Sequence, residues 1–240
     1  HTHIEASFNL VDVDESFTTT DRRHAVAGSR ALGIRCCAIS MPFKEEVMAY
    51  LDAIDPSAAR IAAVITIVNE GGVLTGLNTD TIAIQRIFAD KTIPREARIA
   101  VFGSGGMAKA IVSALDDAGY RHVTVVARNQ QTGPPLAHKY GYPWLPQWPQ
   151  DNAFDVLVNA SPVGMAPQAD QCPCPDALIQ QAQVVIDSVA NPVQTRLIQA
   201  AARLGKRTVN GFEITIIQSI EQFKLYTGVT PDAATVQAAI

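Results

Sequence analysis

The chain is 240 residues long, enough for one large domain or two small ones at roughly 100–200 residues per domain. A hydrophobic share of 48% is that of an ordinary globular protein with a buried core. The net charge of −4, without any basic stripe, argues against nucleic acid or an anionic membrane as the main partner. The longest apolar stretch, residues 61–68, is too short to span a bilayer, and no signal-peptide pattern opens the chain.

Short apolar runs alternate with amphipathic segments, the pattern of an α/β protein with parallel strands joined by helices. Residues 8–13 read as a strand. Residues 20–32 read as a helix, with Thr20 or Asp21 as its cap and Gly33 as its stop. A buried strand at 36–40 is broken by Pro42. Helices are expected at 45–53 and 57–62, then strands at 63–68 and 73–77 around the Glu70-Gly71-Gly72 turn. From Ile99 the rhythm is that of a nucleotide-binding unit: strand 99–102, helix 105–118 stopped by Gly119, strand 123–127. Residues 133–150, rich in Pro and Trp, resist assignment. Strands at 155–160 and 184–187, a helix at 193–204, a short strand at 207–209, a long helix at 211–227 and a last helix from Asp232 complete the chain.

This order predicts two lobes. Residues 1–83 form the first, completed by 210–240, and residues 84–209 form a Rossmann-type dinucleotide-binding lobe. Of the four cysteines, adjacent Cys36 and Cys37 read as buried strand. Cys172 and Cys174 read as ordinary loop thiols, because no second Cys/His pair accompanies them to make a metal site. Reduced thiols and a cytoplasmic setting are the default.

Gly103-Ser104-Gly105-Gly106-Met107-Ala108 fits the G-x-G-x-x-A fingerprint in a strand–turn–helix context. Gly103 allows the turn, Gly105 lets backbone approach a pyrophosphate, and Ala108 keeps the helix close to the sheet. Helix N–H groups then meet the phosphates. The following strand ends in Arg128-Asn129, with no acid to bind a ribose 2′-hydroxyl; a guanidinium there suits a 2′-phosphate, so NADP is the expected cofactor. Lys44 and Asp80 supply an ammonium and a carboxylate. Brought together, they make the proton-transfer pair that alcohol–ketone chemistry requires.

Six collinear segments carry a resemblance: Met41-Pro42-Phe43-Lys44-Glu45, Asn78-Thr79-Asp80, Gly103-Ser104-Gly105-Gly106, Asn159-Ala160-Ser161-Pro162-Val163-Gly164-Met165, Asp187 with Pro192 and Thr195, and Gly211-Phe212 leading to Gln218 and Phe223. Over nearly its whole length the chain resembles the shikimate dehydrogenase family, and within it the shikimate dehydrogenase-like subgroup. The resemblance implies a two-lobed α/β fold and hydride transfer between NADP and the hydroxyl-bearing carbon of shikimate or a related cyclic hydroxy acid. It implies Lys44 and Asp80 as the catalytic pair and Ser40, Asn78 and Gln218 as hydrogen-bonding substrate contacts. The loop 161–165 follows a strand end in the second lobe, where cofactor or substrate commonly sits, so Ser161 and Met165 are expected as further cofactor contacts with Gly211, Met165 either packing on the nicotinamide or filling the core; a monomer or homodimer is expected.

Three departures set this chain apart. Nothing before Phe8 resembles the family's Ser-x-Ser element that grips the substrate carboxylate. Where the family reads Ala-Val-Asn-Thr, this chain has Ala63-Val64-Ile65-Thr66, which removes a ligand contact. The Tyr expected soon after Asp187 is Ala190, a change shared with the subgroup. Quinate, an aminoshikimate, or an NADP(H)-binding protein without turnover are the alternative readings. A methylene-tetrahydrofolate dehydrogenase is a more distant one, since no stacking pocket for a bulky aromatic is apparent.

Overall fold

A computed structural model describes residues 22–39, 43–149, 153–232 and 235–236. The strand expected at 8–13 lies outside these residues, and the helix expected from Asp232 is described only at Thr235 and Val236. The described chain divides into two compact units. One runs up to Ile82 and resumes at Gln218; the other is Ala83–Ile217.

The first unit holds helix α1 (Arg22–Ala31), strand β1 (Cys36–Ala38), a 3₁₀ turn (Glu46–Tyr50), β2 (Ala53–Ile54), the short helix α2 (Pro56–Ala59), β3 (Thr66–Glu70) and β4 (Val73–Leu77). Gly33 follows α1 at φ +65°, as a left-handed stop requires. The sheet order is β1–β3–β4–β2. Its pairing corrects the expectation of parallel strands: β1 and β4 both run antiparallel to β3, and only β2 is parallel to β4. The reason is local, because Gly71 and Gly72 adopt φ +61° and +89° and fold β3 and β4 into a hairpin. The helix expected at 45–53 shrinks to the 3₁₀ turn, and the Asp52 carboxylate instead accepts from the Leu74 amide at 2.7 Å, tying that segment to the sheet. Val26, Cys37, Val47, Ala58, Val64, Ile67 and Leu74 make its core.

Helix α3 (Thr79–Asp90) leads into the second unit. The remaining elements are β5 (Ile99–Phe102), α4 (Gly106–Asp117), β6 (Val123–Val126), α5 (Gly133–Lys139), β7 (Trp144–Leu145), β8 (Val156–Asn159), α6 (Asp176–Gln181), β9 (Val184–Asp187), α7 (Arg196–Arg203), β10 (Arg207–Val209) and α8 (Gly211–Thr227). Strands β10–β9–β8–β5–β6–β7 form one sheet, parallel throughout. The central strands β5, β8 and β9 are buried on both faces, so their residues alternate between two cores rather than between core and water. Ile99 and Val101, Val156 and Val158, and Val184 and Ile186 meet Ile84, Ile87 and Phe88 of α3 and Ile111 and Leu115 of α4. Ala100, Phe102, Leu157 and Val185 meet Leu178 and Ile179 of α6 and Leu197 and Ala201 of α7. Each such leucine or isoleucine contributes about 1.5–3 kcal/mol on burial, so the sandwich is held mainly by these two layers.

Strand order reverses at β5, whose neighbours are β6 and β8, so the ends of β5 and β8 flank a topological switch point, where ligands bind in open α/β sheets. Gly103, just past β5, has φ +126°, and a Cβ there lies 2.7 Å from the Ala160 carbonyl oxygen just past β8. Its lack of a side chain therefore lets the two strand ends close together. Gly103→Ala is expected to cost about 1–3 kcal/mol and to lower the melting temperature. Gly106→Ala, with open space at its Cβ position, is expected to spare it. Equal melting temperatures for the two variants would contradict the packing role of Gly103.

Candidate active site and dinucleotide turn

In the first unit, Lys44 sits on the turn ahead of the 3₁₀ segment, where its carbonyl accepts from the Val64 amide at 2.8 Å. Asp80 occupies the first turn of α3, at the positive end of the helix dipole, which favours a carboxylate. Asn78 immediately precedes that helix. Its Oδ1 accepts from the Thr81 amide at 3.2 Å and the Thr81 hydroxyl at 3.3 Å, and its Nδ2 donates to the Ala63 carbonyl at 2.8 Å. A capping asparagine thus fixes the start of the helix and the direction of the carboxylate two residues on.

Lys44 Nζ lies 4.0 Å from Asp80 Oδ2, with side-chain exposures of 31% and 10%. The amine therefore reaches solvent or ligand while the carboxylate is sealed behind it. Burial pushes the Asp80 carboxyl above the usual range, and the Lys44 charge pulls it partly back.

Ser40 lies outside the described residues. Gln218, on α8, is half-buried and makes no side-chain hydrogen bond among the described residues. One turn on, Gln222 Nε2 donates to Thr66 Oγ1 at 3.2 Å, and Thr66 Oγ1 in turn lies 3.4 Å from Thr79 Oγ1. Both threonine side chains are fully buried. This chain of polar groups beside Asp80 was not singled out from sequence. The i,i+4 spacing of Gln218 and Gln222 on one helix face was its available signal. Ile65, next to Thr66, is buried and presents no hydrogen-bonding side chain.

In the second unit, Gly105 caps α4, and both Gly105 and Gly106 are exposed with nothing within 4 Å of a Cβ position. That open backbone fits a pyrophosphate at the helix N-terminus. Met107 packs partly on the core, and Ala108 is fully buried, as close helix–sheet approach requires. Ser104 Oγ and Thr132 Oγ1 are 2.7 Å apart, joining the glycine turn to the loop after β6. Asn129 shapes that loop, its Oδ1 accepting from the Gln131 and Thr132 amides. Arg128 is exposed beside it.

The segment after β8 is held by a web that sequence gave only as separate letters. Asp187 Oδ2 accepts from Thr195 Oγ1 at 2.6 Å, and its Oδ1 accepts from Asn159 Nδ2 at 2.9 Å and the Val189 amide at 3.1 Å. Asn159 also donates to the Val163 carbonyl and accepts from the Ser161 amide and hydroxyl. Ser161 therefore spends its hydroxyl on the loop, and Thr195 caps α7 through the Ile198 amide. Burial raises the Asp187 carboxyl, and its three donors oppose the shift. Met165 is 46% exposed, so it does not fill the core. The Gly211 Cα lies against the Val189 backbone with no room for a Cβ. Among the described residues, no cluster of three or more His, Cys, Asp or Glu could hold a metal, and no helix is long and apolar enough to cross a membrane.

A family profile for the shikimate dehydrogenase substrate binding domain matches residues 1–67, including the opening segment in which no Ser-x-Ser element is readable. A shikimate dehydrogenase-like protein of Haemophilus influenzae is 42% identical over 233 residues, covering 96% of this chain and 86% of that protein. The shikimate dehydrogenase (NADP(+)) of Dehalococcoides mccartyi strain CBDB1 is 36% identical over 86% of this chain and 76% of its own. Among solved structures, shikimate 5-dehydrogenase of Thermus thermophilus in complex with NADP(H) and shikimate superposes with a TM-score of 0.79 at 30% identity, covering 90% of this chain and 82% of that one.

A buried carboxylate beside one partly exposed amine costs stability when ionised. With its folded pKa raised, Asp80 makes the fold less stable as pH rises from its unfolded pKa through its folded one. Asp80→Asn is therefore expected to raise the melting temperature at pH 7. The gain should shrink as pH falls through the carboxylate range; a gain independent of pH would contradict the burial cost.

Proposed function

Because the chain belongs to the shikimate dehydrogenase family, we propose that it is an NADP-dependent oxidoreductase interconverting shikimate, or a closely related cyclic hydroxy acid, with its 3-dehydro ketone. The observation that carries this reading is the amine of Lys44 at 4.0 Å from the sealed carboxylate of Asp80. NADP, when bound, supplies the hydride donor or acceptor. Gly105 and Gly106 leave the helix N-terminus open to its pyrophosphate, and exposed Arg128 suits its 2′-phosphate.

In the direction of ketone reduction, Lys44 Nζ donates a proton to the carbonyl oxygen as hydride arrives at carbon. In the direction of alcohol oxidation, the same nitrogen receives the hydroxyl proton. Asp80 orients the amine and balances its charge without facing solvent itself. The half-buried amide of Gln218, free of side-chain partners among the described residues, is available to a substrate hydroxyl. Ile65, buried where a polar contact was expected, favours a second reading in which a related cyclic hydroxy acid such as quinate is turned over better than shikimate.

Lys44→Ala is expected to lower turnover by roughly 10²–10⁴-fold with NADPH affinity unchanged, followed by absorbance at the NADPH band with shikimate and quinate in turn. Unchanged turnover removes Lys44 from the mechanism, and the absence of turnover by the parent protein across such acids contradicts the enzyme reading. Arg128→Asp is expected to move cofactor preference from NADP towards NAD; an unaltered preference discards the 2′-phosphate role.

A further inference from the structure

Cys172 and Cys174 lie in the loop between β8 and α6 and take no part in the chemistry above. Cys172 is exposed, while Cys174 is buried among the apolar residues beneath α6 and α7. The Cys172 thiol donates to the Cys174 carbonyl at 3.4 Å, so its side chain folds back over residue 174. The peptide between them is pinned, because the Trp148 indole N–H donates to the Pro173 carbonyl at 2.7 Å. Residues two apart in an open loop are separated by about 5.5–7 Å at Cα, which overlaps the range of roughly 4.4–6.8 Å that a disulfide bridges.

From this geometry we propose that Cys172 and Cys174 form a hydroperoxide-reactive dithiol, a modification site that closes to an intramolecular disulfide. The two sulfurs have different surroundings. A hydrogen bond from the Cys174 thiol holds Cys172 down to about 7, against partial burial of its sulfur and the nearby charges of Asp176 and Asp187 and with help from the Cys174 backbone. Cys174 is pushed up by that same bond and by burial. One thiol is thus exposed, and the other waits beside it buried and in protonated form, the arrangement of a reacting and a resolving cysteine. Cys36 and Cys37 provide the internal contrast: both are buried, and burial drives Cys36 up to about 12 and raises Cys37 as well.

The chemistry balances in two steps. The Cys172 thiolate attacks the outer oxygen of a hydroperoxide; an S–O bond forms, the O–O bond breaks, and the departing alkoxide takes a proton to leave as alcohol. The Cys174 sulfur then attacks Cys172; the S–S bond forms, the S–O bond breaks, and hydroxide leaves as water with the Cys174 proton. Two thiols are oxidised and one hydroperoxide is reduced to alcohol and water.

The test treats the whole protein with a few equivalents of hydrogen peroxide and follows intact mass, thiol titration in denaturant and peptide mapping. Two of the four thiols should disappear, with a mass loss of about 2 Da and a cross-link mapped to 172 and 174. Cys174→Ser should instead stop at a sulfenic acid on Cys172 that a cyclic 1,3-dione captures. Four surviving thiols, oxygen addition without the mass loss, or reaction of Cys36 and Cys37 as fast as Cys172 would each overturn the proposal. None of these readouts depends on dehydrogenase activity.

Discussion

A carboxylate that has lost its water must find compensation nearby, and in the first unit that compensation is Lys44. Asp80 is 7% exposed and sits at a helix start, where the dipole helps hold its charge. The helix end supplies about 0.3–1 kcal/mol at an exposed site, less than the several kcal/mol that burying an ion costs, and the amine at 4.0 Å offsets a further part while the carboxyl stays raised. An arrangement that costs stability and leaves its amine accessible is what a proton-transfer site requires, and an ordinary surface ion pair has no need of it.

Around that pair the polar groups are placed by capping and packing. Asn78 uses its amide to cap α3 and to hold residue 63, which leaves much of its hydrogen-bonding capacity occupied before any ligand arrives. The dinucleotide turn follows the same logic with the opposite residue type. Gly103 and Gly211 are small because neighbouring backbone occupies the space a Cβ would need, whereas Gly105 and Gly106 are small where space stands open. Asp187 and Asn159 then fix the loop after β8, the Asp187 carboxylate accepting from Asn159 and the Val189 amide while the Asn159 amide nitrogen donates to the Val163 carbonyl. Glycines and buried amides thus set the positions of groups they never touch directly.

Much of this was legible in the sequence because each signal was local. The second sheet announced itself through continuous apolar runs such as Ile99–Phe102 and residues 184–186, which suit a strand buried on both faces. The glycine fingerprint located the switch point for the same reason. Less legible was α3, whose Thr79-Asp80-Thr81-Ile82 opening is rich in β-branched residues with weak helix preference; buried Ile84, Ile87 and Phe88 overrule it through packing. The antiparallel hairpin of the first sheet was readable from Gly71 and Gly72, yet its pairing with β1 and β2 depends on contacts far apart in sequence. The Thr66–Thr79–Gln222 contacts join residues up to 156 positions apart; the i,i+4 spacing of Gln218 and Gln222 marks a polar helix face but does not say what that face meets.

The measurement that bears most directly on the central pair is a carbon-13 NMR titration of the Asp80 side-chain carboxyl, in the parent protein and in Lys44→Ala. Burial opposed by a neighbouring ammonium predicts titration above the ordinary aspartate range in the parent, and higher still once the ammonium is gone. An ordinary aspartate titration that is indifferent to the loss of Lys44 would show that the two groups are not coupled, and would contradict the account.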